Sequence, residues 1–251
     1  MSNAFLVSSF LFLVGCACAQ DARQIVAESQ KRTQSKSQRY EGTLEVIGPQ
    51  NKTSVKRWTY QRVGSFGTSR IILRFTAPAE VNGVALLIVN HPDRASEQWM
   101  WTPALERERR VALQDRATRF FGSDFSFEDL EERDVNQFEY KLLGDDIVDG
   151  AACWKIEARP RGSKSSQYTS TVLSIRKDNY VAARVDNYNQ DKLIRRIHYG
   201  EIQKVDGIWT PRTMEVADPS RNSRTVMKLE KLQYNLPLKE EDFTLEALRR
   251  G

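Results

Sequence analysis

The chain of 251 residues predicts a mainly β protein. The expected form is a single large curled antiparallel sheet, a half-open β-barrel of about eleven strands, with a few short helices forming a lid. Three observations lead there. From Arg39 onward apolar and polar residues alternate with period two, the mark of strands with one buried and one wet face. Turn residues bound each run, as at Gly48-Pro49, Gly64 to Gly67 and Ala77-Pro78. The runs recur every 8–15 residues or so without a Gly- or Pro-rich linker, which favours one sheet curling on itself over two domains.

Gln20 to Gln38 is polar and Gly-free, with Ala22, Ile25, Val26 and Ser29 at helical spacing, and predicts a short amphipathic helix. Tyr40, Leu44 and Val46 mark the first strand, Trp58 and Tyr60 the second, Ile71, Leu73 and Phe75 the third. Val84 to Val89 is apolar throughout and predicts a central strand covered on both faces. Glu97 to Trp101 and Arg107 to Leu113 follow, joined through Thr102-Pro103. The charges from Glu106 to Arg110 alternate in sign, which suits cross-strand pairs on an exposed face.

At Asp124 to Asp134 the β pattern stops. Ser126 and Asp129 have capping-box spacing and predict a short acidic helix through Arg133, its carboxylates solvated. Strands resume with Phe138, Tyr140 and Leu142, and the Asp149-Gly150 turn leads to Ala152, Trp154 and Ile156. Further strands centre on Leu173, Ala183, Ile197, Met214 and Leu229. Thr244 caps a terminal helix, Leu245 to Arg249.

The first nineteen residues carry no Lys, Arg, Asp or Glu, and their apolar run from Ala4 to Val14 is much shorter than the ~20 residues of a membrane span. Small residues follow. Residues 1–19 therefore predict a signal peptide, leaving 20–251 as a single β domain and placing the protein in the periplasm. Two cleavage readings stand side by side. Ala17-Cys18-Ala19 fits an ordinary signal peptidase, whereas Leu13-Val14-Gly15-Cys16 resembles a lipobox, which would lipidate Cys16 and anchor the protein to a membrane. In the body of the chain Cys153 stands alone and is expected to be a small buried hydrophobe.

The net charge of +5 comes from Lys and Arg dispersed among acids, without the block that would mark a nucleic-acid partner. His91 and His198 lack metal-ligand spacing, and there is no Cys-x-x-Cys, no G-x-S-x-G and no Gly-rich phosphate loop. The reading is a binding protein: not an enzyme, with no catalytic residue, metal or cofactor. From Trp58 to Phe127 the chain carries ten aromatic residues. Phe75, Phe121, Phe125 and Phe127 either pack the midchain element onto the sheet or line a cavity beneath it. Leu87 and Val89 join them as cavity candidates, with Trp99 and Trp101, which are two apart and so share one face.

Several segments resemble the outer-membrane lipoprotein-sorting protein family, itself similar to the periplasmic lipoprotein carrier LolA. They are Phe75-x-x-Pro78, Gly83-x-x-Leu86-Leu87, Gln98-Trp99-Met100-Trp101-x-Pro103 with Arg107 and Arg109, the run from Phe121 to Leu130, and Val205-Asp206-Gly207-x-Trp209-x-Pro211. The resemblance implies an incomplete barrel closed by helices, with an apolar cavity for lipid or lipoprotein acyl chains. It also implies an inner-membrane transporter or outer-membrane acceptor as partner, and a functional arginine for which Arg57, Arg62, Arg70 and Arg74 are candidates. An anchored lipid sensor or scaffold with the same fold is the alternative to a shuttling carrier. The export reading has a direct check: mass spectrometry of protein from its native host should find a mature chain starting at Cys16 or Gln20, and an intact Met1 would overturn it.

Overall fold

The computed structural model describes residues 21–161 and 166–250. The expected signal peptide and the lipidation candidate Cys16 lie outside the described residues. Helix α1, Ala22–Thr33, is capped by Asp21, whose carboxylate accepts from the Arg23 amide. The first six strands are β1 Ser37–Ile47, β2 Thr53–Val63, β3 Arg70–Ala77, β4 Ala85–Val89, β5 Glu97–Thr102 and β6 Arg107–Arg110. After the link 111–137 come β7 Phe138–Val148, β8 Ala151–Pro160, β9 Ser170–Arg176 and β10 Ala182–Asn189. β11 Lys192–Val205, β12 Ile208–Asp218 and β13 Ser223–Tyr234 complete the set, and the short helix α2, Leu245–Arg249, follows. Thr244 caps α2 by accepting from the Ala247 amide at 3.2 Å.

All thirteen strands form one antiparallel sheet in the order β6-β5-β4-β3-β2-β1-β13-β12-β11-β10-β9-β8-β7. The expectation of about eleven falls short of this number, because every run singled out between Tyr40 and Leu229 is a separate strand. Two hairpin meanders, β1–β6 and β7–β13, are sewn together where β1 pairs with β13. The sheet stays open, with β6 and β7 as its edges. It also curls. Gln98 on β5 donates to the Phe127 carbonyl and to Glu131, while Arg195 on β11 donates to Asp129. In a flat sheet β5 and β11 would lie about 33 Å apart, so one short segment touches both only if the sheet wraps around it.

Alternation decides the two faces. On the inner face Trp58, Phe75, Leu86 and Ile88 pack with Phe120, Phe125 and Phe127 of the link. Gly42 sits opposite Trp58 on the neighbouring strand, and a Cβ there would lie 1.9 Å from the indole nitrogen, so only glycine lets the ring lie flat across β1. On the outer face Ala85, Leu87, Trp99 and Trp101 pack under Phe243 and Leu248 of the C-terminal segment. β4 is thus covered on both sides, as its unbroken apolar run requires.

The acidic helix expected through Arg133 is a single 3-10 turn, Glu128–Leu130. Its capping box does form: the Ser126 amide donates to Asp129 at 2.7 Å, and the Asp129 amide donates to the Ser126 hydroxyl at 3.3 Å. The turn ends at Glu131, whose backbone is extended, and Glu131 and Glu132 reach Arg116 and Arg62. Cys153 is fully buried on β8 beside Val148 and Ala183, and burial pushes its thiol above the ordinary range. It should resist a thiol reagent in the native protein and label quickly in denaturant; fast native labelling, read by mass, would contradict the packing.

Candidate functional site

The link 111–137 runs inside the curl, and its sequence explains how it stays there. Phe120, Phe125 and Phe127 supply apolar area, with Phe120 stacked on Phe75 at 5.4 Å between ring centres and set edge-on to Phe127. Among and after these rings stand five carboxylates that pair with arginines. Asp124 pairs with Arg119 at 2.6 Å and accepts from Thr225 of β13 at 2.8 Å. Asp129 pairs with Arg195 of β11 at 2.7 Å and accepts from the Tyr168 hydroxyl at 2.8 Å. Glu131 pairs with Arg116 through two hydrogen bonds, the Nε contact being 2.6 Å. Glu132 faces Arg62 of β2 at 3.3 Å, and Glu128 meets Arg133 at 3.4 Å.

Solvated carboxylates are therefore the wrong picture for this stretch. Asp129 and Glu131 keep 1% and 2% of their side-chain surface in water, so their charges persist only with cations beside them. Burial pushes the carboxyls of Glu131 and Glu132 up, against the opposing pull of Arg116 and Arg62. These pairs hold the segment in place inside the curl.

Beside this plug, in the β7–β12 half of the curl, lies a cavity of about 400 Å³. α1 supplies one wall with Val26, Ser29, Gln30 and Thr33. The sheet supplies another, where inward positions are aliphatic or small: Ala158, Leu173, Ile175, Val185 and Ile197. Phe138, Tyr140 and Tyr199 add aromatic surface, and burial raises the Tyr199 phenol to about 12, which keeps it neutral. The plug adds Asp129, Glu131, Glu132 and Arg133 to the lining. With Thr171 and Asn187 also in the lining, the cavity is a mostly apolar concavity carrying a few polar groups, as small-molecule sites usually are.

None of the eight residues expected from the sequence lines this cavity. Phe75, Phe121, Phe125 and Phe127 belong to the aromatic core of the β1–β6 half, which they fill. Leu87, Val89, Trp99 and Trp101 lie on the outer face beneath the C-terminal segment. Trp99 and Trp101 do share a face, with Met100 on the other, but alternation alone does not say which face is concave. Of the arginine candidates, Arg62 bonds the plug and the Ser35 hydroxyl, Arg74 binds carbonyls of the C-terminal segment, and Arg70 pairs with Glu240. His91 lies 3.0 Å from Arg94, and His198 lies 2.6 Å from Asp149. The cavity had a sequence signal of its own, the small inward residues Ala158 and Thr171 where the other half carries Trp58 and Phe75.

Comparisons with known proteins agree with this fold. A family model described as "Uncharacterized protein" matches residues 67–250. No curated protein matches the chain. Among solved structures, a DUF1329 family protein from Desulfovibrio piger is 27% identical, with a TM-score of 0.86 over 90% of this chain and 97% of its own. A domain assigned to outer membrane lipoprotein sorting, from Vibrio parahaemolyticus, is 24% identical with a TM-score of 0.86 over 91% and 98%. A LolA superfamily protein from Nitrosomonas europaea is 16% identical with a TM-score of 0.74 over 90% and 98%, a likeness of fold.

The plug makes its own prediction. Glu131→Ala leaves Arg116 buried without its carboxylate and should cost about 3–5 kcal/mol in urea unfolding. Replacing both partners with apolar residues, Arg116→Met with Glu131→Leu, should recover most of that loss; an equal or larger loss in the double variant would mean the pair is not what holds the segment.

Proposed function

The chain belongs to the family whose model matches its residues 67–250 and has the LolA-like lipoprotein-sorting fold, and from that premise we propose that it is a periplasmic carrier of lipid or lipoprotein acyl chains. The cavity between α1, the plug and strands β7–β12 carries this reading. Its volume falls at the lower end of the roughly 300–1,000 Å³ of small-molecule sites, enough for one alkyl chain with the plug in place. Affinity would come from apolar area leaving water, at about 25 cal/mol per Å². The wall carboxylates are tied to arginines, which favours holding a molecule over transforming it.

The partners of such a carrier are a donor in the inner membrane or an acceptor in the outer membrane. A lipid on Cys16 would tether the protein and favour the second reading, a sensor or scaffold that detects lipids with the same cavity. The cavity itself is testable in either case. Oleate, titrated below its critical micelle concentration, should bind the wild type saturably at one per chain. Ala158→Phe, which fills the cavity from β8, should weaken binding at least about tenfold while the far-ultraviolet signal of the sheet is kept. Saturable binding that is indifferent to Ala158→Phe would place the lipid elsewhere.

A further inference from the structure

The arginines around the plug are not equally occupied. Arg116 and Arg195 hold their carboxylates at 2.6 and 2.7 Å. Arg133 reaches Glu128 and the Thr171 hydroxyl only at 3.4 Å each, the limit of hydrogen bonding. Glu128, meanwhile, already accepts the Gln167 amide at 2.9 Å and the Ser166 hydroxyl, so its oxygens are shared. A guanidinium has five N–H donors, and two long contacts leave most of that capacity for another acceptor.

Several contacts hold Arg133 beside the cavity. The Gln30 side chain of α1 donates to the Arg133 carbonyl at 2.7 Å and pins the backbone. The guanidinium lies 5.5 Å from the Phe138 ring and 5.7 Å from the Tyr168 ring, which orient the cation between them. The side chain is a quarter exposed, and Arg133 is one of the residues that line the cavity. Asp129 and Glu131, beside it, are already neutralised and do not compete for a second cation.

We propose that Arg133 is the head-group anchor of the cavity, and that the ligand is a single-chain amphiphile with an anionic head, a carboxylate or a phosphate. The inference rests on the acyl-cavity reading and narrows it. The tail lies along Leu173, Val185 and Ile197, and the head takes the remaining donors of Arg133 in short charge-assisted contacts.

Calorimetric titration with three ligands of one chain length tests this: oleate, oleyl alcohol and oleoyl lysophosphatidate. The wild type should bind an anionic ligand at least about tenfold more tightly than the alcohol, with the margin shrinking as ionic strength approaches about 1 M. Whether oleate or lysophosphatidate binds more tightly tells a carboxylate head from a phosphate head, and either preference supports the anchor. Arg133→Gln should cut the preference below about twofold, and Arg133→Lys should keep part of it. Equal binding of acid and alcohol by the wild type overturns the anchor and leaves the acyl cavity standing, and this arm needs no variant to fold. A preference unchanged in a folded Arg133→Gln protein likewise overturns it. Binding of none of the three overturns the acyl reading and the anchor with it.

Discussion

A carboxylate moved out of water must find a cation or give up its charge, and the plug brings five of them inside a curled sheet. Three of the arginines that answer them, Arg116, Arg119 and Arg133, come from the plug itself. Two come from strands on either side of the central seam, Arg62 on β2 and Arg195 on β11. The plug is therefore folded by its own charges and then clamped by the sheet's. Without the clamp the two half-sheets have no common object to wrap, and with it the curl, the aromatic core and the neighbouring cavity follow together.

The two halves of the curl differ by the size of what points inward. In the β1–β6 half Trp58 and Phe75 meet Phe120 of the plug and leave no room. In the β7–β12 half the corresponding surface offers Ala158, Thr171 and Val185, and α1 stands across it instead of an aromatic layer. Filling one half firmly lets the other stay hollow, because the packed side carries the stability that a cavity subtracts.

Most of the sheet was legible in the sequence, because period-two alternation and turn chemistry are local signals. The coverage of Val84 to Val89 on both faces and the burial of Cys153 were legible for the same reason. The site was not. Alternation placed Trp99 and Trp101 on one face but could not say that a C-terminal helix covers it, since Leu248 lies far along the chain. Glu128 to Asp134 looked solvated because charge density is normally a surface property, and pairing with Arg195 or Arg62 is visible only in three dimensions. The mixture of Phe120, Phe125, Phe127 and Leu130 with those acids was the available clue, since a solvated helix has no use for so many rings.

The seam between β1 and β13 joins residues such as Arg39 and Gln233, 194 positions apart in the chain. Each half is a meander of neighbouring hairpins that can pair as soon as its residues are available, but the seam waits for the last strand. Until then two sheet edges and the aromatic plug are unsheltered, the condition in which chains stick to one another. A polypeptide with this topology gains from completing its synthesis, or its passage through a narrow channel, before it collapses. Its folding rate is governed by the meeting of its ends rather than by its hairpins, and slow assembly belongs to the topology itself.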